Sequence, residues 1–238
     1  MDYHLIACSG ARHYTILNTS QAGELPQIQQ GYLDQNTSLI ALSIGGNDMA
    51  FADIFTKCVL AVTQKCQDAS IDARDPDIGE KTGGSTPALK DWAPTWAHDT
   101  VRPRLVKTLL ALHKQAPYAK IVLMGYPRLL ENAGQCVPGI GTEEGPWLND
   151  MADTVAKEMK GAVDDANTQS QANGVFADPR DVFAGRAICG DPETIHGIVL
   201  TGRSKADSSA PTPSMKSFHP KVSGTVHYAK AFEAALTQ

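Results

Sequence analysis

An α/β fold, in which helices cover both faces of a parallel sheet, follows from three features of the sequence. Its 238 residues are enough for one substantial core. Four apolar runs are near-continuous rather than alternating, as strands buried on both faces are. Helical patterns separate them, and strand–helix alternation of this kind places the strands in parallel.

The elements read in order as follows. Tyr3–Cys8 ("YHLIAC") is the first expected strand, and it runs into the turn sequence "CSGAR". Ser38–Ile44 ("SLIALSI") is the second; it breaks at Gly45-Gly46-Asn47-Asp48, after which a helical pattern begins. Asp68–Pro94, rich in Asp, Gly, Pro and Ser, reads as a long surface insertion. Trp96–Gln115 carries Val101, Leu105, Thr108, Leu109 and Leu112 at helical spacing and stops before Pro117. Lys120–Gly125 ("KIVLMG") and Gly174–Ala177 ("GVFA") are the remaining strands, with a helix over Trp147–Asn167 between them. A loop-rich stretch, Thr201–Ser217, precedes a last helix over Val222–Leu236.

Composition excludes several classes of function. With a net charge of −5 there is no basic stripe to neutralise phosphates, so no nucleic-acid partner is expected. No apolar run approaches the roughly 20 residues needed to cross a bilayer. Seven scattered histidines show no ligand spacing, so no metal is expected. None of the five cysteines forms a C-x-x-C pair. Cys58 and Cys66 bracket a short polar stretch, as the ends of a small disulfide loop would. Cys136 and Cys189 both lie in Gly/Pro-rich loop sequence, and Cys8 is left over. Idle thiols in a cytosolic protein remain the alternative.

Ligands of open α/β sheets bind beyond the carboxyl ends of the strands, so residues just after each strand carry the functional signal. An amide side chain, Asn47, stands beside two glycines after the second strand, and Gly10 follows the first. Neutral N–H donors of this kind can hold a developing oxyanion. His219, just before Pro220 and the last helix, is a candidate general base. The plainer readings are that Asn47 or Asp48 caps a helix, Gly10 serves a turn and His219 lies on a surface loop.

The segments "ACSGA", "LSIGGNDMAFADIF", "AKIVLMGYP", "DPRDVFAGRAICG" and "SFHPKVSGTVHYA" together resemble the SGNH (GDSL-type) hydrolases, in particular their secreted esterase/lipase branch. The resemblance implies a three-layer α/β/α, flavodoxin-like fold over a single domain, 1–238, and an extracellular ester hydrolase. It implies no cofactor, a small-molecule or lipid ester as substrate, and a monomer. Gly10 and Asn47 match the oxyanion-hole donors, His219 matches the catalytic histidine, and the disulfides would be Cys58–Cys66 and Cys136–Cys189. Two departures accompany it. Lys216 stands where an aspartate usually precedes the histidine by three residues, so a backbone carbonyl is expected to orient the imidazole.

The second departure is that no Gly-Asp-Ser block, which holds the family's nucleophile, occurs in the chain. An N-terminally incomplete domain is therefore expected, its first strand apparently absent and Cys8 without its partner. Without that strand, "SLIALSI" would have an unpaired buried edge, leaving the domain marginal unless the first two expected strands pair directly. Two alternatives follow. One is a non-catalytic protein that binds acylated or glycosylated ligands. The other is a hydrolase with a relocated nucleophile, Ser9, served by an acid such as Asp178 and by His219. Ala7 and Ala11 stand where a nucleophile elbow wants glycine.

Overall fold

The computed structural model describes residues 2–60, 65–200, 214 and 216–237. Its first half runs α1 (His13–Leu17), β1 (Leu39–Leu42), α2 (Phe51–Leu60), β2 (Asp72–Arg74), β3 (Lys81–Ser85), α3 (Leu89–Trp96) and α4 (Arg102–Gln115). The second half runs β4 (Lys120–Met124), α5 (Glu144–Ser170), β5 (Gly174–Ala177), α6 (Arg180–Phe183) and α7 (Val222–Leu236). The central sheet has the order β1-β4-β5, all parallel.

β4 alternates between two packed layers, which is why its sequence is apolar throughout. Ile121 and Leu123 enter the larger core with Leu105 and Leu109 of α4 and Met159 and Val163 of α5. Val122 and Met124 face the other way, against Ala177, Ala231 and Ala235, so α7 covers that side. The result is the three-layer α/β/α arrangement that the sequence predicts. β5 and α7 have the expected boundaries, and α5 extends a few residues beyond its expected ends at each side.

Three expectations need correction. Tyr3–Cys8 is not a strand: it pairs with no strand among the described residues, and Tyr3 and Leu5 are 78% and 75% exposed. A strand needs a neighbour for its backbone groups, and the direct pairing of Tyr3–Cys8 with β1 does not occur. β1 has β4 as its one partner among the described residues, and its outer edge is not buried, because Leu39–Leu42 are exposed or half-buried. Solvent can then satisfy those groups, which removes most of the expected cost.

The segment Asp68–Pro94 is structured rather than a plain insertion. β2 and β3 pair antiparallel, with β3 fully exposed, and α3 begins at Leu89. Arg74 of β2 is buried and ion-paired with Asp53 of α2, which ties the hairpin down. The third correction concerns the helix expected from Trp96, which instead begins at Leu89 and passes through one π-helical turn, Ala97–Val101, before α4. The Thr201–Ser217 loop lies almost wholly outside the described residues.

Both implied disulfides are present. Cys58–Cys66 closes the end of α2, and Cys136–Cys189 links loops 53 residues apart, while Cys8 is a free, half-buried thiol. The asymmetry between β4 and β1 sets a test. Leu123→Ala, at a site with no exposure, is expected to cost about 2–5 kcal/mol in urea unfolding. Leu39→Ala, 42% exposed, should cost under about 1 kcal/mol. Equal costs would mean that β1 is buried in solution.

Candidate active site

Parallel strands in register release the chain at the same end of the sheet, and there β1 opens into Gly45-Gly46-Asn47-Asp48 while β4 opens into Gly125-Tyr126. The two turns meet. Tyr126 Oη accepts the Gly46 N–H at 3.0 Å, and a Cβ on Gly46 would stand 3.1 Å from that hydroxyl, closer than ordinary contact. Glycine at 46 is what lets the ring approach. Burial pushes the Tyr126 phenol above its usual pKa, so it stays a neutral partner.

Asn47 is exposed, and its Nδ2 donates to the Ala11 carbonyl at 3.1 Å. A primary amide carries two N–H bonds, so one anchors the side chain and the second remains for a ligand. The Ala11 carbonyl belongs to the turn that contains Gly10, whose φ of +77° is one a residue with a Cβ rarely adopts. Gly10 is exposed, beside the Asn47 anchor.

His219 is exposed on the loop before α7, and its Nδ1 lies 2.9 Å from the Ser217 carbonyl. A carbonyl only accepts, so Nδ1 carries a proton, and the neutral form of the ring has its lone pair on Nε2. The loop is fixed at several points. His196 N–H donates to the His219 carbonyl, Phe218 N–H to the His196 carbonyl, and Ser217 Oγ bonds both backbone groups of Val199. Phe218 has a positive φ of 63°, a strained conformation for an aromatic residue, and its ring lies 3.8 Å from that of Phe55 on α2. This contact packs the His219 loop against α2, the helix that follows the Asn47 turn. Asn47 is tied to the Gly10 turn through the Ala11 carbonyl, and no hydrogen bond among the described residues links His219 to either.

The Ser9 alternative gains no support from its surroundings. The Ser9 carbonyl accepts from Gln21 Nε2, and no hydrogen bond among the described residues links Ser9 or Asp178 to His219. Asp178 is instead clasped by Arg180 through Nε and Nη2. His227 on α7 is half-buried with its ring edge-on to Phe183.

The sequence does not reveal what Asp48 does. Its carboxylate points inward, 2.6 Å from His13 Nδ1 and 3.3 Å from Arg104 Nη1, with 1% exposure. The only advance sign of this is a pair of cationic or titratable side chains on helices flanking the turn. On the far side of His13 a cleft of about 500 Å³, also bordered by Tyr14, Asp77 and Lys107, is lined by none of Gly10, Asn47 and His219.

No family model matches the chain. Over 223 residues it is 27% identical to a Streptomyces rimosus protein named lipase, covering 93% of this chain and 65% of that protein. A Streptomyces scabiei protein named esterase is 30% identical over 200 residues, 76% of this chain and 54% of its own length. The chain therefore spans less than two thirds of the length of these relatives. Phospholipase A1 from Streptomyces albidoflavus NA297, a solved structure, superposes with a TM-score of 0.71 at 26% identity, covering 97% of this chain and 78% of that one.

The Arg180 clasp on Asp178 sets a pH test that separates structure from catalysis. Burial pushes the Asp178 carboxyl up, but hydrogen bonds from Arg180 outweigh it and hold the group below its ordinary range. A depressed carboxylate stabilises the fold above its unfolded pKa of about 3.9, and the contribution is lost as pH falls through the folded value. Asp178→Asn should lower Tm at pH 7, with the deficit shrinking below about pH 4. A deficit that stays constant with pH would contradict the ion pair.

Proposed function

We propose that the chain is an SGNH hydrolase, a reading its likeness to Streptomyces lipases and esterases supports, and that Gly10, Asn47 and His219 form the site of a carboxylic-ester hydrolase of the secreted esterase/lipase branch. The observation that carries the proposal is the histidine: the Ser217 carbonyl takes the Nδ1 position of an exposed ring, so Nε2 is the nitrogen left to act as a base. A base so oriented takes the proton of an attacking hydroxyl and returns it to the leaving alkoxide. The carbonyl dipole does for the imidazolium what a carboxylate does in other hydrolases, with Lys216 at the usual acid's position. The free Asn47 N–H and the Gly10 backbone N–H supply the oxyanion donors, which take up charge as the ester carbonyl becomes tetrahedral.

In the serine mechanism the family implies, the hydroxyl attacks the acyl carbon, the alcohol leaves, and water then releases the acid. The chain contains no Gly-Asp-Ser. Its own residues supply a base and oxyanion donors, a combination that retains about 10³–10⁴-fold acceleration over water in hydrolases stripped of a triad member. The same sequence feature favours a second reading, a non-catalytic protein that holds acylated or glycosylated ligands at this site. The substrate class is a small or lipid ester, and the two disulfides suit an extracellular protein.

Hydrolysis of a short p-nitrophenyl ester, with intact-mass analysis after a fluorophosphonate, decides between these. With no Gly-Asp-Ser serine in the chain, no adduct and at most weak turnover are expected, and any turnover should fall about 10²–10³-fold in Asn47→Ala. A ligand retained with neither turnover nor adduct would establish the binding protein instead. A single adduct at Ser9 would make Ser9 the nucleophile.

A further inference from the structure

We infer that Asp48 and His13 are a positioning pair that fixes the separation of Gly10 and Asn47, an inference that rests on the oxyanion reading above. Asp48 directly follows Asn47, and His13 lies three residues after Gly10. Two rungs join these segments. The outer rung is Asn47 Nδ2 to the Ala11 carbonyl, at 3.1 Å. The inner rung is double: Asp48 Oδ1 faces His13 Nδ1 at 2.6 Å, and Asp48 Oδ2 accepts the His13 main-chain N–H at 3.2 Å. One carboxylate thus grips both the side chain and the backbone of the segment that carries Gly10.

The inner rung is itself braced. Arg104 Nη1 donates to Asp48 Oδ1 while its remaining nitrogens bond the carbonyls of Asp75 and Pro76. The indole Nε1 of Trp96 donates to the Asp48 carbonyl at 2.9 Å, and Arg104 stacks on the same indole, 5.3 Å from its centroid. Asp48 therefore contacts α1, α3 and α4 at once. With Asp48 and Arg104 1% and 6% exposed, removing these charges from water consumes much of what their attraction returns. Such a cluster is a poor source of net stability and a good source of fixed geometry. Oxyanion donors need that geometry, because they work only within about 2.7–3.1 Å of the charged oxygen.

The test uses the whole chain and butyrate, a carboxylate that mimics the oxyanion and needs no nucleophile. In ¹⁵N-labelled protein, butyrate should shift the Gly10 amide and the Asn47 side-chain amide together. Asp48→Asn and His13→Gln should stay folded by near-UV circular dichroism and weaken butyrate binding about tenfold or more. Glu158→Gln removes another buried carboxylate, which accepts from Arg102 and faces His98, and should lower Tm without changing butyrate affinity. Unchanged affinity in both pair variants would overturn the inference, as would an equal loss in Glu158→Gln. So would unfolding of both pair variants, since the pair would then be a determinant of folding. If the unsubstituted protein shows no shift at either amide, the oxyanion reading itself fails and takes this role with it.

Discussion

β4 is hydrogen-bonded along both edges and packed on both faces, and the positions of the polar groups follow from that constraint. Its register with β1, from Leu39 opposite Lys120 to Leu42 opposite Leu123, makes both strands end at one level. The chain must then turn there, and the turns of Gly46 and Tyr126 come within one hydrogen bond of each other. β5 ends one residue opposite Met124 and leads into the Asp178–Arg180 clasp at the same rim. A core that fixes strand register therefore also fixes where the Asn47 turn and the Tyr126 turn meet.

The site divides by depth. At the surface stand neutral donors and one imidazole, none of them tied to a carboxylate. Directly beneath, Asp48 is bound to His13 and Arg104 with almost no exposure. The contacts with His13 and Arg104 turn the Asp48 carboxylate inward, so the exposed face of the turn carries neutral dipoles rather than a fixed anion.

Part of this was legible in the residues. β5 and α7 could be bounded because Gly174–Ala177 and Val222–Leu236 carry their own punctuation and periodicity. Asn47 and His219 stood out because each follows a strand or precedes a helix in an unusual local sequence. Tyr3–Cys8 misled because strand formation depends on a neighbour as much as on apolar content, and no neighbour pairs with it among the described residues. The role of Asp48 was hidden for a different reason: its partners lie 35 and 56 residues away, on helices whose packing no local pattern encodes. The acceptor for His219 could be anticipated in kind but not by residue, because every residue carries a carbonyl.

That last point has a genetic consequence. An imidazole oriented by a side-chain carboxylate is lost by a single codon change at the acid. An imidazole oriented by the Ser217 carbonyl depends on the path of the loop, which a substitution at 216 or 217 alters only if it moves the backbone. Position 216 is released to carry lysine, and the hydroxyl at 217 is released to tether Val199. Mutational sensitivity is thereby displaced from the histidine's immediate neighbours to distant residues that hold the loop's course, with the Phe55–Phe218 stack foremost among them.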